Sequence, residues 1–296
     1  MIKVYNRQTK EYEVENVAGD KFLNVLYGTV PGKVGLELLI KRKLYSSISG
    51  VFCDSRKSAG LIKKFIDGYG IDVSECRDDV CSFKNFNEFF IRKMKPHTRP
   101  FDKDASKLLS PGDGRMYAWQ DIDINKLVQV KGLTYSLGDL LMDKSLAAGY
   151  EGGTLIILRL CPLDYHRFHF IDGGTCSKTI KIKGHYYSVN PAALKTIARV
   201  YCQNKREYSI LKSENFGNVL YVEVGATSVG SIIQTYAPDQ RVTRGDEKGY
   251  FKFGGSTLIM ILKKGTVNID DEILEQTEAG FETRVLAGEI IGNKQK

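Results

Sequence analysis

The stretch Gly249-Tyr-Phe-Lys-Phe-Gly-Gly-Ser-Thr-Leu-Ile-Met-Ile-Leu262 joins two glycines to a long apolar run. Its second half, from Ser256 to Leu262, is rich in β-branched and apolar residues and predicts a buried strand. A glycine within a strand usually marks a bulge, a bend or a close backbone approach. Gly254-Gly255 therefore indicates either a plain turn or a peptide bond at which chemistry takes place.

Two other segments, 153–160 and 219–224, have the same composition and also predict buried strands. Around these strands, residues 101–296 are predicted to form a β-rich domain, in which the clear helix is Pro191–Tyr201. The first hundred residues have a different pattern and predict a helical, basic region, with a short hairpin within residues 1–20. We therefore expect an α+β protein in which β-structure dominates.

Helical periodicity is clearest in two parts of the N-terminal region. The first apolar face is spaced at i, i+3, i+4 and i+8, and a shorter one follows; their members are Leu36, Leu39, Ile40 and Leu44, then Leu61, Phe65 and Ile66. Asn85-Phe-Asn-Glu88 is typical of a capping box and predicts a helix from Phe86 to Met94, which Pro96 ends.

Composition excludes several classes of protein. The 42% hydrophobic and 26% charged residues are ordinary for a folded soluble protein. The six cysteines include no CxxC pair, which argues against a zinc ribbon or a redox motif and favours reduced thiols. Neither a signal peptide nor a transmembrane helix is predicted, since no suitable apolar segment is present.

Positive charge is concentrated between Pro31 and Lys64. This segment has eight lysines and arginines against two acidic residues, a net charge of +6. Basic residues beside an apolar helix face favour an anionic membrane surface. A solvated face that covers the sheet and a nucleic-acid partner are the alternatives, and no nucleic-acid motif supports the second.

Two of the four histidines, His166 and His169, lie close together in Leu163-Asp-Tyr-His-Arg-Phe-His169. Such a pair can serve catalysis, can be structural, or can form half of a metal site, although no third ligand cluster is nearby. Ser110-Pro-Gly-Asp-Gly-Arg115 predicts a turn by its own chemistry. A second interpretation is that the turn holds Asp113 against a histidine.

Together, Asp113, His169 and Ser256 supply an acid, a base and a nucleophile. A serine hydroxyl is a weak nucleophile until a base accepts its proton, and the base works best when a third group orients it. The Gly-x-Ser-x-Gly elbow is missing from the sequence, which argues against an α/β-hydrolase.

Blocks along nearly the whole chain resemble the phosphatidylserine decarboxylases, which are self-processing pyruvoyl enzymes. The chain has Gly254 where the family's Leu-Gly-Ser-Thr motif usually has leucine, while the Gly-Ser pair and the threonine are intact. The matching blocks, in order, are Asn85-Phe-Asn-Glu-Phe-Phe-Ile-Arg with Lys95-Pro-His-Thr-Arg-Pro100, Ser110-Pro-Gly-Asp-Gly, Val130-Lys-Gly-Leu-Thr-Tyr-Ser-Leu, Leu160-Cys-Pro-Leu-Asp-Tyr-His-Arg-Phe-His, Ser188-Val-Asn-Pro, Val224-Gly-Ala-Thr-Ser-Val-Gly-Ser-Ile and Gly245-Asp-Glu-Lys-Gly-Tyr-Phe-Lys-Phe-Gly-Gly-Ser-Thr.

The resemblance implies a role for each candidate residue. Asp113, His169 and Ser256 form the charge relay for self-cleavage between Gly255 and Ser256, which gives a β chain of residues 1–255 and an α chain of residues 256–296. Ser256 becomes a covalent pyruvoyl group that forms a Schiff base with phosphatidylserine, and carbon dioxide and phosphatidylethanolamine are the products. His166 is the candidate acid in decarboxylation, with a structural role as the alternative. No pyridoxal phosphate, nicotinamide or metal is implied.

The partners implied are phosphatidylserine, an anionic membrane surface and the α and β chains for each other, and homo-oligomerisation stays open. The location implied is peripheral, at the cytoplasmic face of the cell membrane. Two other functions remain: a soluble pyruvoyl-dependent amino-acid decarboxylase, and a non-enzymatic lipid-binding β domain in which Gly254–Thr257 is only a turn.

Overall fold

A computed structural model describes residues 2–15, 50–130, 133–226, 231–254 and 256–295. The predicted apolar helix face from Leu36 to Leu44 lies outside these residues, as do Gly255 and residues 227–230 of the block that begins at Val224. In the described part, strands are more abundant than helices. The prediction of an α+β protein dominated by β-structure is therefore confirmed.

The largest sheet in the described part contains eleven strands. Its members in chain order are β1 Lys3–Asn6, β2 Glu11–Val14, β4 Gly114–Trp119, β7 Thr154–Leu160, β9 Gly174–Cys176, β10 Ile180–Ile182, β11 Arg206–Ser213, β12 Gly217–Gly225, β14 Arg241–Val242, β16 Ser256–Leu262 and β18 Glu282–Val285. Their order across the sheet is β14-β9-β11-β12-β16-β7-β4-β18-β1-β2, with β10 also paired to β11. The pairing of β1 with β18 is parallel, and the other pairings are antiparallel.

Three smaller sheets accompany the main sheet. One joins β13 Ile232–Gln234, β15 Glu247–Phe251 and β8 Arg167–His169; another joins β17 Val267–Ile269, β19 Ile290–Lys294 and β3 Lys107–Leu109; the last pairs β5 Leu127–Val130 with β6 Leu133–Tyr135.

The central strand β16 is buried along its whole length, between β12 and β7. Side chains of a strand alternate between the two faces of its sheet. Ile259 and Ile261 accordingly pack into one apolar core, whereas Leu258 and Met260 pack into another on the opposite face. Burial on both faces explains why this strand is a continuous apolar run rather than an alternating one.

Different elements contribute to the two cores on the opposite faces of the sheet. The core around Ile259 includes residues of β5, β6 and short helices, whereas the core around Leu258 includes residues of β8, β15 and β17. The described helices are α1 Gly60–Tyr69, α2 Phe86–Phe90, α3 Leu137–Leu141, α4 Lys144–Ala148, α5 Pro191–Thr196, α6 Val200–Gln203 and α7 Asp271–Ala279.

Two predicted helices differ from the observed ones. The side chain of Asn85 caps α2 as predicted, by accepting from the backbone N–H of Glu88. The helix nevertheless ends at Phe90, because the following chain is extended and Met94 forms a bridge with Cys76. The predicted helix Pro191–Tyr201 is divided into α5 and α6, and Arg199 between them has a left-handed φ of 57°.

The predicted N-terminal hairpin is present, because β1 and β2 pair antiparallel. It joins the edge of the main sheet, where β1 pairs with β18 near the C-terminal end of the sequence. The domain boundary at residue 100 stays a prediction. Within the described ranges, no helix combines the length and apolar character that crossing a membrane requires.

Candidate active site

Ser256 is the first residue of β16 and is fully buried. It pairs with Leu160 on β7 and Gly225 on β12. By strand alternation its side chain lies on the same sheet face as Leu258. Its Oγ makes no hydrogen bond. A buried hydroxyl without a partner is costly and uncommon, which marks this atom as a candidate reacting group.

Gly254, two residues before Ser256, has a φ of 135°. Only glycine adopts this region readily, since a Cβ atom would be strained there. The strand β15 and the chain that follows it therefore reach Ser256 through a backbone conformation that leucine would not favour. The glycine that replaces the usual leucine of the motif therefore lies at a position where the backbone conformation favours glycine.

His166 lies between β7 and β8 and is fully buried. Its Nδ1 is 3.0 Å from the carbonyl oxygen of Asp164, which can only accept, so Nδ1 carries the proton. Nε2 then holds a free lone pair, and it makes no hydrogen bond of normal geometry, although the Gly254 carbonyl lies near the ring. Burial lowers the pKa of His166 to about 4. The Phe90 ring packs against the imidazole at 4.0 Å between centroids.

His169 is the last residue of β8, and both of its ring nitrogens have partners. Nδ1 is 2.9 Å from the Gly245 carbonyl oxygen, and Nε2 is 3.1 Å from the Tyr165 hydroxyl. The acceptor at Nδ1 fixes the tautomer, so the Tyr165 hydroxyl donates to Nε2. Burial lowers the pKa of His169, and the neutral ring is therefore the dominant form near pH 7.

Asp113 lies in the predicted turn, immediately before β4, and is buried. Arg99 donates hydrogen bonds to both oxygens of this carboxylate. Its Nε is 2.8 Å from Oδ1 and 3.0 Å from Oδ2, and its Nη2 is 2.6 Å from Oδ2. The backbone N–H of Ala287 donates to the same carboxylate at 2.8 Å. No hydrogen bond joins Asp113 to His169 in the described part of the molecule, although the carboxylate acts to raise the pKa of that histidine.

Backbone pairing explains how Asp113 and His169 come close. The His169 N–H donates to the carbonyl of Pro111 at 2.8 Å, so the turn runs beside the end of β8. The structure thus brings Asp113 near His169, and His166 near Gly254. It does not join Asp113, His169 and Ser256 in one hydrogen-bonded chain, and their relay stays a prediction.

Sequence reasoning assigned no role to Arg99 and Tyr165, which bind Asp113 and His169 directly. Arg99 lies in Lys95-Pro-His-Thr-Arg-Pro100, a block used only for the resemblance. The sequence did contain one indication, because Arg99 and Asp113 both lie in blocks that carry the family resemblance. In the ranges that the structure describes, no group of three histidine, cysteine, aspartate or glutamate side chains is arranged to hold a metal ion.

A cavity of about 400 Å³ lies beside Asp113. Its wall includes Asp113, Arg99, Arg92 and Tyr165, and also the end of α1 at Tyr69. This volume is within the usual range of small-molecule sites. The cavity therefore offers space for a ligand next to the group of residues that surrounds His169.

Comparison with known proteins identifies the family to which the chain is similar. A sequence profile described as "Phosphatidylserine decarboxylase" matches residues 86–293. The chain is 61% identical over 293 residues to a phosphatidylserine decarboxylase proenzyme of Ruminiclostridium cellulolyticum, covering 99% of this chain and 98% of the relative. Relatives with the same name are 57% identical in Clostridium perfringens, covering 99% and 100%, and 54% identical in Clostridium botulinum, covering 100% of both chains. The matched residues span most of the described fold and include Asp113, His166, His169 and Ser256, and on this similarity the chain belongs to the phosphatidylserine decarboxylase family.

Proposed function

We propose that this protein is made as a proenzyme, cleaves itself before Ser256, and decarboxylates phosphatidylserine to phosphatidylethanolamine and carbon dioxide. The observation that carries the proposal is that Ser256 Oγ, at the start of the central strand, is buried without a hydrogen-bond partner, and that His166, whose Nε2 also lacks one, lies near the Gly254 carbonyl. Unsatisfied buried groups cost stability, so they are expected where function needs them. Membership of the family supports the same reaction.

Self-cleavage requires a base that accepts the Ser256 proton. The oxygen then attacks the carbonyl carbon of residue 255, a C–O bond replaces the C–N bond, and the nitrogen receives a proton. Elimination of the resulting ester removes the Cα proton of residue 256 and releases the carboxylate of residue 255. The dehydroalanine that remains tautomerises to an imine, which water hydrolyses with loss of ammonia.

His169 is the base that we assign to cleavage, with Asp113 as the group that orients the ring. In the described structure the Tyr165 hydroxyl donates a hydrogen bond to His169 Nε2, and Arg99 donates to the Asp113 carboxylate. The relay therefore needs Tyr165 to turn away from Nε2, and it needs Nδ1 to exchange the Gly245 carbonyl for the Asp113 carboxylate. Because His169 is neutral near pH 7, its Nε2 is able to accept a proton once that hydroxyl has moved.

The surroundings of Ser256 fit a small covalent pyruvoyl group. Ser256 is fully buried and its Oγ has no hydrogen-bond partner, and the conversion replaces this hydroxymethyl group by a methyl group. A pyruvoyl group supplies an electron sink for the charge that carbon dioxide leaves behind. His166 is neutral with a free lone pair at Nε2, so it must first accept a proton there before it can act as the acid. Phe90 packs on its ring and Phe253 packs on Phe90, which keeps water from this side of the ring.

The membrane role rests on the segment from Val51 to Lys64. The exposed apolar side chains there are Val51 at 73%, Phe52 at 47% and Leu61 at 40% of their full surface. Arg56, Lys57, Lys63 and Lys64 lie among them, and such a combination favours the interface of an anionic bilayer. We propose that this surface, residues 51–64, places the protein peripherally on the cytoplasmic face of the cell membrane.

Intact mass spectrometry of the purified protein is the direct test of self-cleavage. We expect two chains, residues 1–255 and residues 256–296, the second with a pyruvoyl group in place of its N-terminal serine. Ser256→Ala should give one uncut chain. Thr257→Ser is the matched control, because residue 257 lies on the opposite sheet face, and it should be cleaved. An uncut wild-type chain in a preparation that decarboxylates would contradict the proposal.

Substrate class is tested by supplying phosphatidylserine in vesicles and free serine or aspartate in solution. Carbon dioxide release from the vesicles alone, together with binding to anionic vesicles, is the expected result. Release from the free amino acids without vesicle binding would instead identify a soluble decarboxylase.

A further inference from the structure

Arg92 is an arginine buried among groups that do not satisfy it. Its side chain lies in the chain segment after α2 and is 3% exposed. Nη2 donates to the carbonyl oxygen of Leu163 at 3.2 Å, and the guanidinium lies 4.9 Å above the Phe89 ring. Nε and Nη1 have no hydrogen-bond partner of normal geometry, and the neutral thiol of Cys76 is the polar group that lies near the guanidinium. No carboxylate in the described ranges forms a salt bridge with it.

The other arginines on the wall of the 400 Å³ cavity are paired. Arg99 contacts Asp113 and Glu75, Arg115 contacts Glu15 and Asp164, and Arg284 contacts Glu13. Buried charges are normally paired because removing a charge from water is expensive. Arg92 is the exception in this wall, and burial lowers its pKa while the others are held by carboxylates.

Arg92 also lies close to the proposed reaction centre. It acts electrostatically on His166, and its bond to Leu163 connects it to the chain segment that carries both histidines. The same cavity wall includes Tyr165 and the end of α1, at Tyr69 and Gly70. Tyr165, whose hydroxyl contacts His169, links this cavity to the reaction centre.

We propose that Arg92 binds an oxyanion of the substrate headgroup in this cavity. The proposal rests on the proposed function, which supplies a headgroup with two such groups, a phosphodiester and a carboxylate. Either one would give Arg92 the charge and the acceptors that the protein itself does not provide. Arg92 is thus a substrate-binding residue, distinct from the residues that cleave the chain.

Binding can be measured without catalysis in the Ser256→Ala proenzyme. Inorganic phosphate and acetate serve as probes of the two oxyanions, with matched chloride as the salt control. We expect one or both to raise the melting temperature of this protein, and Arg92→Met to remove the rise. A response to phosphate alone identifies the phosphodiester, a response to acetate alone identifies the carboxylate, and either supports the proposal.

Two further variants separate binding from folding. Arg284→Met removes another guanidinium from the same wall, one that is paired with Glu13, and should leave the response to the probes intact. Arg92→Lys keeps the positive charge and should retain part of the response, even if the methionine variant does not fold. A rise that persists unchanged in a folded Arg92→Met protein, or no rise with either probe, overturns the proposal.

Kinetics of the processed enzyme provide a second readout. Arg92→Lys should be cleaved normally and should raise the KM for phosphatidylserine vesicles at least tenfold, with kcat within threefold of wild type. An unchanged KM would also overturn the proposal. Failure of the proposed function has a different signature, since the wild-type protein would then bind the probes but release no carbon dioxide.

Discussion

The two sides of the candidate site differ in how well their polar atoms are satisfied. On the Ser256 side, formed by Ser256 and His166, the hydroxyl and one ring nitrogen are buried without partners. On the Asp113 side, formed by Asp113, Arg99, His169 and Tyr165, each of these side chains makes hydrogen bonds. The difference indicates that the Ser256 side has polar atoms available for reaction. On the Asp113 side, existing hydrogen bonds must break before His169 can accept a proton.

The largest expected effect separates the two histidines. His169→Ala should block self-cleavage, because no other base is assigned to the Ser256 proton. His166→Ala should still be cleaved but should decarboxylate about 10²–10⁴-fold more slowly, the usual contribution of a positioned acid or base. Gel analysis and carbon dioxide release distinguish the outcomes. Equal loss of cleavage in both variants would remove the distinction between the two sides.

The second largest effect is a loss of stability when the ion pair between Arg99 and Asp113 is broken. Asp113→Asn keeps the shape of the side chain but leaves a nearly buried arginine with one carboxylate partner fewer. Breaking a buried pair in this way costs about 3 kcal/mol in the free energy of unfolding. Chemical denaturation of the uncut Ser256→Ala protein would measure this cost.

A double-mutant cycle with Arg99→Met completes that measurement. If Asp113 and Arg99 act as a pair, the double variant should lose less stability than the two single variants added together. Additive losses would mean that the two side chains act independently, and the Asp113 side would then not be a rigid unit.

The third prediction concerns pH. Since the folded pKa of His166 is about 4, below the ordinary 6.5, the unfolded chain binds more protons between these values. The free energy of unfolding should therefore fall as the pH is lowered from about 6.5 to 4, by about 3 kcal/mol for this group. His169 has the same sign, because its pKa is also lowered.

His166→Gln in the Ser256→Ala background should remove most of that pH dependence, whereas His185→Gln, at an exposed histidine, should keep it. Denaturation curves at several pH values test this. If the His166 variant keeps the full slope, the ring is not buried in its neutral form, and the Ser256 side differs less from the Asp113 side than proposed.

The smallest effect is expected at Gly254. Because its φ of 135° disfavours a side chain, Gly254→Leu should force the backbone before Ser256 to change, at a cost of about 1–2 kcal/mol. Cleavage should then be about tenfold slower, as followed by the loss of the uncut chain with time. Gly254→Ala, with a smaller side chain but the same φ restriction, should be slowed to a similar extent. Unchanged rates in both would show that the φ of Gly254 does not limit cleavage.

The elements that sequence analysis predicted well are those with strong local signals. The runs at 153–160, 219–224 and 256–262 are β7, β12 and β16, because strands buried on both faces need apolar residues at every position. The cap at Asn85 was also correct, since its chemistry is local. Strands of only three residues, such as β8, have too few residues for any periodicity to be visible.

Contacts between distant residues could not be predicted in this way. Nothing local indicates that β1 pairs with β18, or that Arg99 binds Asp113. Likewise, the helix predicted from Pro191 to Tyr201 is interrupted at Arg199, whose left-handed conformation has no signal in the residue type. For the site, the residue types were predictable, but their partners depend on tertiary structure.

The position of β16 in the middle of the main sheet has a consequence for assembly. Residues 256–296 supply β16, which lies between β12 and β7, and β18, which lies between β4 and β1. Once the chain is cut, the two products remain held by ladders on both edges of these strands, and they can dissociate only by unfolding. The single chain refolds in a first-order reaction, whereas the cut protein must refold by second-order association, at a rate that falls with dilution.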